Sequence, residues 1–115
     1  MVKRVYTDYI RDILDSIQDI EDFIQEMSYD DFKDDRKTIN AVVRSIEIIG
    51  EASKKIPKSL RDSRLEIPWK KMAGMRDKLT HAYFGIDLEI IWKVASEEIK
   101  QIKPGILKIK DSLQE

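Results

Sequence analysis

Apolar side chains recur every three or four residues along nearly the whole of this chain, and that spacing commits it to helices, because a strand would need alternation. From Val5 to Met27 they fall at Val5, Tyr6, Tyr9, Ile10, Ile13, Leu14, Ile17, Ile20, Phe23, Ile24 and Met27, one face of a long amphipathic helix. Ser28, Asp30 and Asp31 then offer oxygens that can cap a new helix, so a turn is expected there, with Phe32 pinning it to the core. A second long helix is expected from Asp34 or Asp35 to about Ile56, with Ile39, Val42, Val43, Ile46, Ile49, Ala52 and Ser53 on one face and Pro57 halting it. Gly50 inside that helix costs about 1 kcal/mol relative to Ala, which a close helix crossing would offset.

Residues 57–67 read as a loop with one helical turn around Lys58 to Asp62. Pro68 suits the first turn of a third helix, which Trp69, Met72, Ala73, Met75 and Leu79 continue until it frays near His81 to Tyr83. Gly85 breaks the pattern. Asp87 can cap the next helix, and Ile86 with Ile91 can staple it. That fourth helix carries Leu88, Ile91, Trp92, Ala95 and Ile99 to about Ile102, where Pro104 must kink or restart it before Ile106, Ile109 and Leu113. With 115 residues and only four Gly and three Pro, the expected fold is all-α: one domain over residues 1–115, a four-to-five-helix up-down bundle. Barrels and two-domain enzymes are excluded by length.

The chain has no Cys and one His, so one copy cannot build a disulfide framework, a redox pair or a zinc ribbon, and no metal site is expected. No apolar run approaches the roughly 18 residues that span a bilayer, which makes a soluble cytoplasmic protein the expectation, with no membrane partner. The net charge of −1 conceals a strong asymmetry. Residues 1–35 hold four basic and eleven acidic side chains, residues 36–85 twelve and five, and residues 86–115 five and six. The middle block can attract phosphates, since local potential governs backbone contact with nucleic acid. It can equally be neutralised by packing beside the acidic first helix. Lys54, Lys55, Lys70, Lys71 and Lys78 are the candidate RNA-holding residues in that block, with Lys58, Arg61 and Arg64 nearby.

Nucleotide-binding glycine loops, a nucleophile elbow and a His-Glu-x-x-His helix are all absent. What remains is Met75 to Gly85, which sets Arg76, His81 and Tyr83 close together inside the cationic block. An imidazole exchanges protons near neutral pH, and a guanidinium can hold the charge that builds on phosphate oxygens. RNA brings its own nucleophile, the 2′-hydroxyl, so these two groups can cut it without a metal. Equally, a His near a helix end can simply favour the macrodipole, and an Arg can be a solvated surface residue. Five residues of an ideal helix turn through about 500°, which would leave Arg76 and His81 roughly 140° apart. Either the helix unwinds before His81 or a two-fold dimer pools groups from two copies, supplying both an acid and a base.

Arg76-x4-His81-x-Tyr83 matches the Arg-x4-His-x-Tyr motif of the HepT-like toxins, the ribonuclease half of HepT/MntA toxin–antitoxin pairs in the HEPN superfamily. Ile48-Ile49-Gly50-Glu51-Ala52 resembles that family's Gly-Glu-Ala segment, Ile67-Pro68-Trp69 its Pro-Trp helix start, and Asp87 to Trp92 the opening of its fourth helix. The resemblance implies a HEPN-like homodimer whose facing motifs form a composite, metal-independent RNA-cleaving cleft that needs no cofactor. Carried over residue by residue, Arg76 would stabilise the phosphate, His81 would transfer protons and Asp77 would help position Arg76. Tyr83 would be the regulatory residue, receiving AMP from ATP through a partner MntA-like nucleotidyltransferase antitoxin. Glu51 shares a helix face with Glu47 and Arg44, enough for a surface ion pair, and in the family-like segment it would instead brace the cleft. Trp69 and Trp92 fit the core pattern rather than a base-stacking role. A different class of answer is a non-catalytic helical module that docks to the nucleotidyltransferase and presents substrate or nucleotide to it.

Overall fold

The computed structural model describes residues 5–75, 77, 79 and 87–113, and among these every regular element is helical. In chain order they are α1 (Tyr6–Phe23), α2 (Tyr29–Lys33), α3 (Arg36–Lys54), α4 (Lys58–Ser63), α5 (Trp69–Ala73) and α6 (Leu88–Lys93). A π-helical turn (Val94–Glu98) and α7 (Ile99–Leu113) complete them. The expected all-α bundle is what forms.

Its core is built mainly from isoleucine. Ile10, Ile13, Ile17 and Ile20 of α1 are buried with Ile39, Val42, Ile46 and Ile49 of α3, the positions that three-and-four spacing puts on one face of each helix. On α1 packs α7, through Ile99, Ile102, Ile106 and Ile109, and α5 sits on α3. Phe32 is fully buried and lies 5.1 Å from the Trp92 ring, so the short α2 is held between α3 and α6.

Several boundaries differ from the sequence expectation, each for a local reason. The first helix stops at Phe23 instead of reaching Met27, and Glu26 takes φ 63°, the left-handed conformation that ends helical progression. A capping box turns the expected turn into α2: the Ser28 hydroxyl accepts from Asp31 N–H at 3.2 Å, and Asp31 accepts from Ser28 N–H at 3.1 Å. At α3 the cap is Asp35, whose carboxylate accepts from the backbone N–H of Thr38 at 3.0 Å and its hydroxyl at 2.8 Å. That helix ends at Lys54, short of Ile56. Pro68 occupies the N-cap of α5, and the third helix is interrupted by a turn at Gly74, with Met75, Asp77 and Leu79 helical beyond it. Asp87 is the N-cap residue of α6, but its side chain makes no capping hydrogen bond. The staple expected of Ile86 lies outside the described residues.

Pro104 neither restarts the last helix nor ends it. It lies exposed inside α7, whose helical assignment runs through it, while the departure from α geometry falls a turn and a half earlier, over Val94–Glu98. An interior proline costs about 3 kcal/mol. Ile102, Ile106 and Ile109 are each worth roughly 2 kcal/mol when buried, so continuing the helix past the proline is the better outcome. Gly105 beside it allows the close approach of Ile67, since a Cβ there would stand 2.7 Å from Ile67 Cγ1. Gly50 is buried on α3, as a helix-contact position should be.

The two hydrogen bonds from Thr38 hold the Asp35 carboxyl below its usual value, the backbone bond contributing most. A depressed folded-state pKa means stability that is present above the ordinary aspartate range, near 3.9, and is lost as pH falls below it. Asp35→Ala therefore lowers the melting temperature at neutral pH, and the gap from wild type narrows as the pH is taken below about 3.9. Thermal melts of both proteins at several pH values check this.

Candidate functional site

The site is framed by the segments on either side of Met75–Gly85. On the entry side, Ile67 is buried against the Gly105 position and the Trp69 indole N–H donates to the Arg64 carbonyl at 3.1 Å, fixing the approach to α5. Met72, Met75 and Leu79 are buried, while Asp77 is exposed, so the helical stretch after Gly74 keeps one face in the core and turns Asp77 to solvent. On the exit side α6 is anchored by the fully buried Ile91. Arg76, Lys78, His81 and Tyr83 lie outside the described residues, and with them the expected unwinding before His81.

Glu51 is exposed on α3 and borders a shallow depression of about 170 Å³ shared with Tyr9, Asp12, Arg44, Ile48 and Lys55. The surface ion pair expected here runs from Arg44 to Glu47 at 3.6 Å. Both partners are well hydrated, so it is worth a few tenths of a kcal/mol.

Of the candidate lysines, Lys54, Lys70 and Lys71 line one groove of about 940 Å³ between the end of α3, α4 and α5, whereas Lys55 faces the α1–α3 depression. Arg61 joins the three lysines, and Ile67 and Trp69 contribute apolar wall. Lys54, Arg61 and Lys70 make no ion pair with a carboxylate among the described residues. The groove's one acid, Asp62, is engaged by Lys58 at 2.8 Å. Glu21 of α1 pairs instead with Lys103 of α7, at 2.7 Å.

Lys71 is drawn partly out of this set. Its ammonium lies 2.6 Å from the carboxylate of Glu98, a residue only 6% exposed and not singled out from the sequence. Glu98 immediately precedes Ile99 on the apolar stripe and falls at the end of the π turn, where it is buried along with Val94 and Ala95. An acid abutting an apolar stripe was the available signal. Trp69 is buried and Trp92 is partly buried beside Phe32 and Tyr29, so both serve the core as expected. No group of three or more metal-ligating side chains occurs among the described residues, and no described helix is long and apolar enough to cross a membrane.

Comparison with known proteins places these features in context. A family model described as ribonuclease HepT-like matches residues 13–109. A Thermococcus cleftensis protein named "Probable ribonuclease HepT" is 48% identical over 109 residues, covering 95% of this chain and 99% of its own. The Methanocaldococcus jannaschii protein MJ0125, named as a candidate RNase, is 44% identical over 115 residues, covering 100% and 99% of the two chains. From the same organism MJ1216, named likewise, is 46% identical over 109 residues, covering 95% and 90%. No solved structure matches the chain.

The burial difference between neighbouring lysines predicts a difference in stability. Lys71→Met removes a cation 2.6 Å from the buried Glu98 carboxylate and costs about 1 kcal/mol, discounted because Lys71 itself is half exposed. Lys70→Met, at an exposed position without an ion pair among the described residues, changes stability by less than about 0.5 kcal/mol. Urea unfolding of the two variants measures the gap.

Proposed function

The chain belongs to the HepT-like ribonuclease family, and from that membership we propose that it is an endoribonuclease toxin, cutting RNA without a metal ion. The observation that carries the reading is the extent of the family match: residues 13–109 enclose the whole Arg76-x4-His81-x-Tyr83 motif. The relatives named above carry ribonuclease names, and the cationic groove beside α5 gives an RNA strand a surface to follow.

In this reading the 2′-hydroxyl of the substrate attacks the adjacent phosphorus. The P–O2′ bond forms as the P–O5′ bond breaks, leaving a 2′,3′-cyclic phosphate on one fragment and a 5′-hydroxyl on the other. Arg76 bears on the non-bridging oxygens, where negative charge accumulates. His81 moves a proton, either from the attacking hydroxyl or to the leaving oxygen. One chain has a single His for these two transfers, so the second copy of His81 in a homodimer supplies the other. Asp77, exposed next to Arg76, orients the guanidinium, and Glu51 braces the cleft from α3. Lys54, Lys55, Lys70, Lys71 and Lys78 hold the strand by its phosphates.

Control would come through Tyr83. A cytoplasmic MntA-like nucleotidyltransferase antitoxin joins the tyrosine oxygen to the α-phosphate of ATP and releases pyrophosphate. The added phosphate and adenine then block the basic cleft by charge and bulk.

Purified wild-type protein should cut total RNA in the presence of EDTA, leaving cyclic-phosphate ends. Arg76→Ala and His81→Ala should each lose about 100-fold or more in rate. Cleavage by all three proteins, or by none, overturns the assignment, and a species that sediments as a monomer at micromolar concentration yet still cuts RNA removes the shared cleft. On co-expression with a neighbouring nucleotidyltransferase, mass spectrometry should find an adenylyl increment on Tyr83, and its absence counts against the regulatory step.

A further inference from the structure

The groove between α3, α4 and α5 has features that a phosphate track alone does not need. Leu65, on its rim, is 81% exposed, the most exposed large apolar side chain among the described residues. Behind it the wall is formed by Ile67, Pro68 and Trp69. Over this apolar surface stand Lys54, Arg61 and Lys70, without carboxylate partners among the described residues.

We infer that this groove is a subsite for an unpaired nucleotide of an RNA strand, with its phosphate on Arg61, Lys54 and Lys70 and its base against Leu65. The inference rests on the RNA-cleaving reading for its ligand class and adds what the groove selects. Phosphate binding needs only cations, and an exposed leucine among cations is wasted on it. A base has an apolar face that becomes available when it is unstacked, and single-strand binders pair such faces with apolar or aromatic surface beside a basic track. Duplex RNA keeps its bases stacked inside and offers the protein mainly phosphates and 2′-hydroxyls, so it cannot fill a concave apolar groove. The volume of about 940 Å³ has room for one nucleotide together with water.

A fluorescein-labelled 2′-O-methyl dodecamer of mixed sequence tests this, because it lacks the nucleophilic hydroxyl and binding is read apart from cleavage. Fluorescence anisotropy over a salt series, with the dodecamer single-stranded and annealed to its complement, gives affinity and salt slope together. Wild type is expected to bind the single strand about tenfold tighter than the duplex. Leu65→Ser weakens single-strand binding about fivefold with the salt slope unchanged, because an apolar contact releases no counterion. Lys70→Gln, at an exposed position that leaves the fold intact, and Arg61→Gln each weaken binding and lower the slope by about 0.7. A general loss of structure would not separate slope from affinity in this way. Equal affinity for duplex and single strand, or single-strand affinity unmoved by Leu65→Ser and Lys70→Gln, overturns the subsite. If wild type cuts no RNA while these variants still lose single-strand affinity, the cleavage reading falls and the subsite stands. If wild type cuts RNA while they bind as wild type does, the cleavage reading stands and the subsite falls, together with the strand-holding role of Lys70.

Discussion

Ile10, Ile13, Ile17 and Ile20 on α1 meet the matching face of α3 at Ile39, Val42, Ile46 and Ile49, and the remaining helices are laid against that seam. Branched side chains at three-and-four spacing give each helix a continuous ridge, so two such helices can interdigitate without flexible filler. Burying eight residues of this size supplies an order of 10 kcal/mol or more before entropy is counted. The other helices then need only short contacts. The five-residue α2 and α5 are below the length at which an isolated helix persists, and they are tied to the core by large buried residues, Phe32 in one case and Trp69 with Met72 in the other.

The same seam explains where chemistry is available. α3 spends one face on α1 and leaves Lys54 and Lys55 exposed at its C-terminal end, with Glu51 a turn before them. α5 spends Trp69 and Met72 on the core and leaves Lys70 exposed beside them. A cationic groove therefore arises where two amphipathic helices turn their polar faces the same way. The Lys71–Glu98 pair reaches across to the π turn and ties α5 to the last long helix. Met75, Asp77 and Leu79 follow from that anchored stretch, with Met75 and Leu79 buried and Asp77 exposed.

Helical type, the capping oxygens at Asp35 and Ser28, the turn that forms α4 and most core positions were legible in the sequence, because each depends on residues within about four positions of one another. The helix count was not, since α2 forms where a turn was expected. Nor was Glu98. It lies in a wider helical turn between α6, which packs on α2, and α7, which packs on α1, and it is met by Lys71 of α5, a partner 27 residues away in sequence. At Pro104 the helix continues instead of restarting, because a local penalty is outweighed by isoleucines of a helix that packs on α1, far away in sequence.

By itself the sequence determined an all-helical chain with a cationic middle and an Arg, a His and a Tyr within eight residues, since periodicity, charge and spacing are properties of neighbouring residues. The tertiary structure decided which lysines share a groove, that Lys71 turns to a buried carboxylate while Lys70 does not, and that Leu65 stands exposed among cations. These are relations between segments tens of residues apart. They are fixed only when burial of the isoleucine faces sets how the helices rest on one another, and no local rule carries that information.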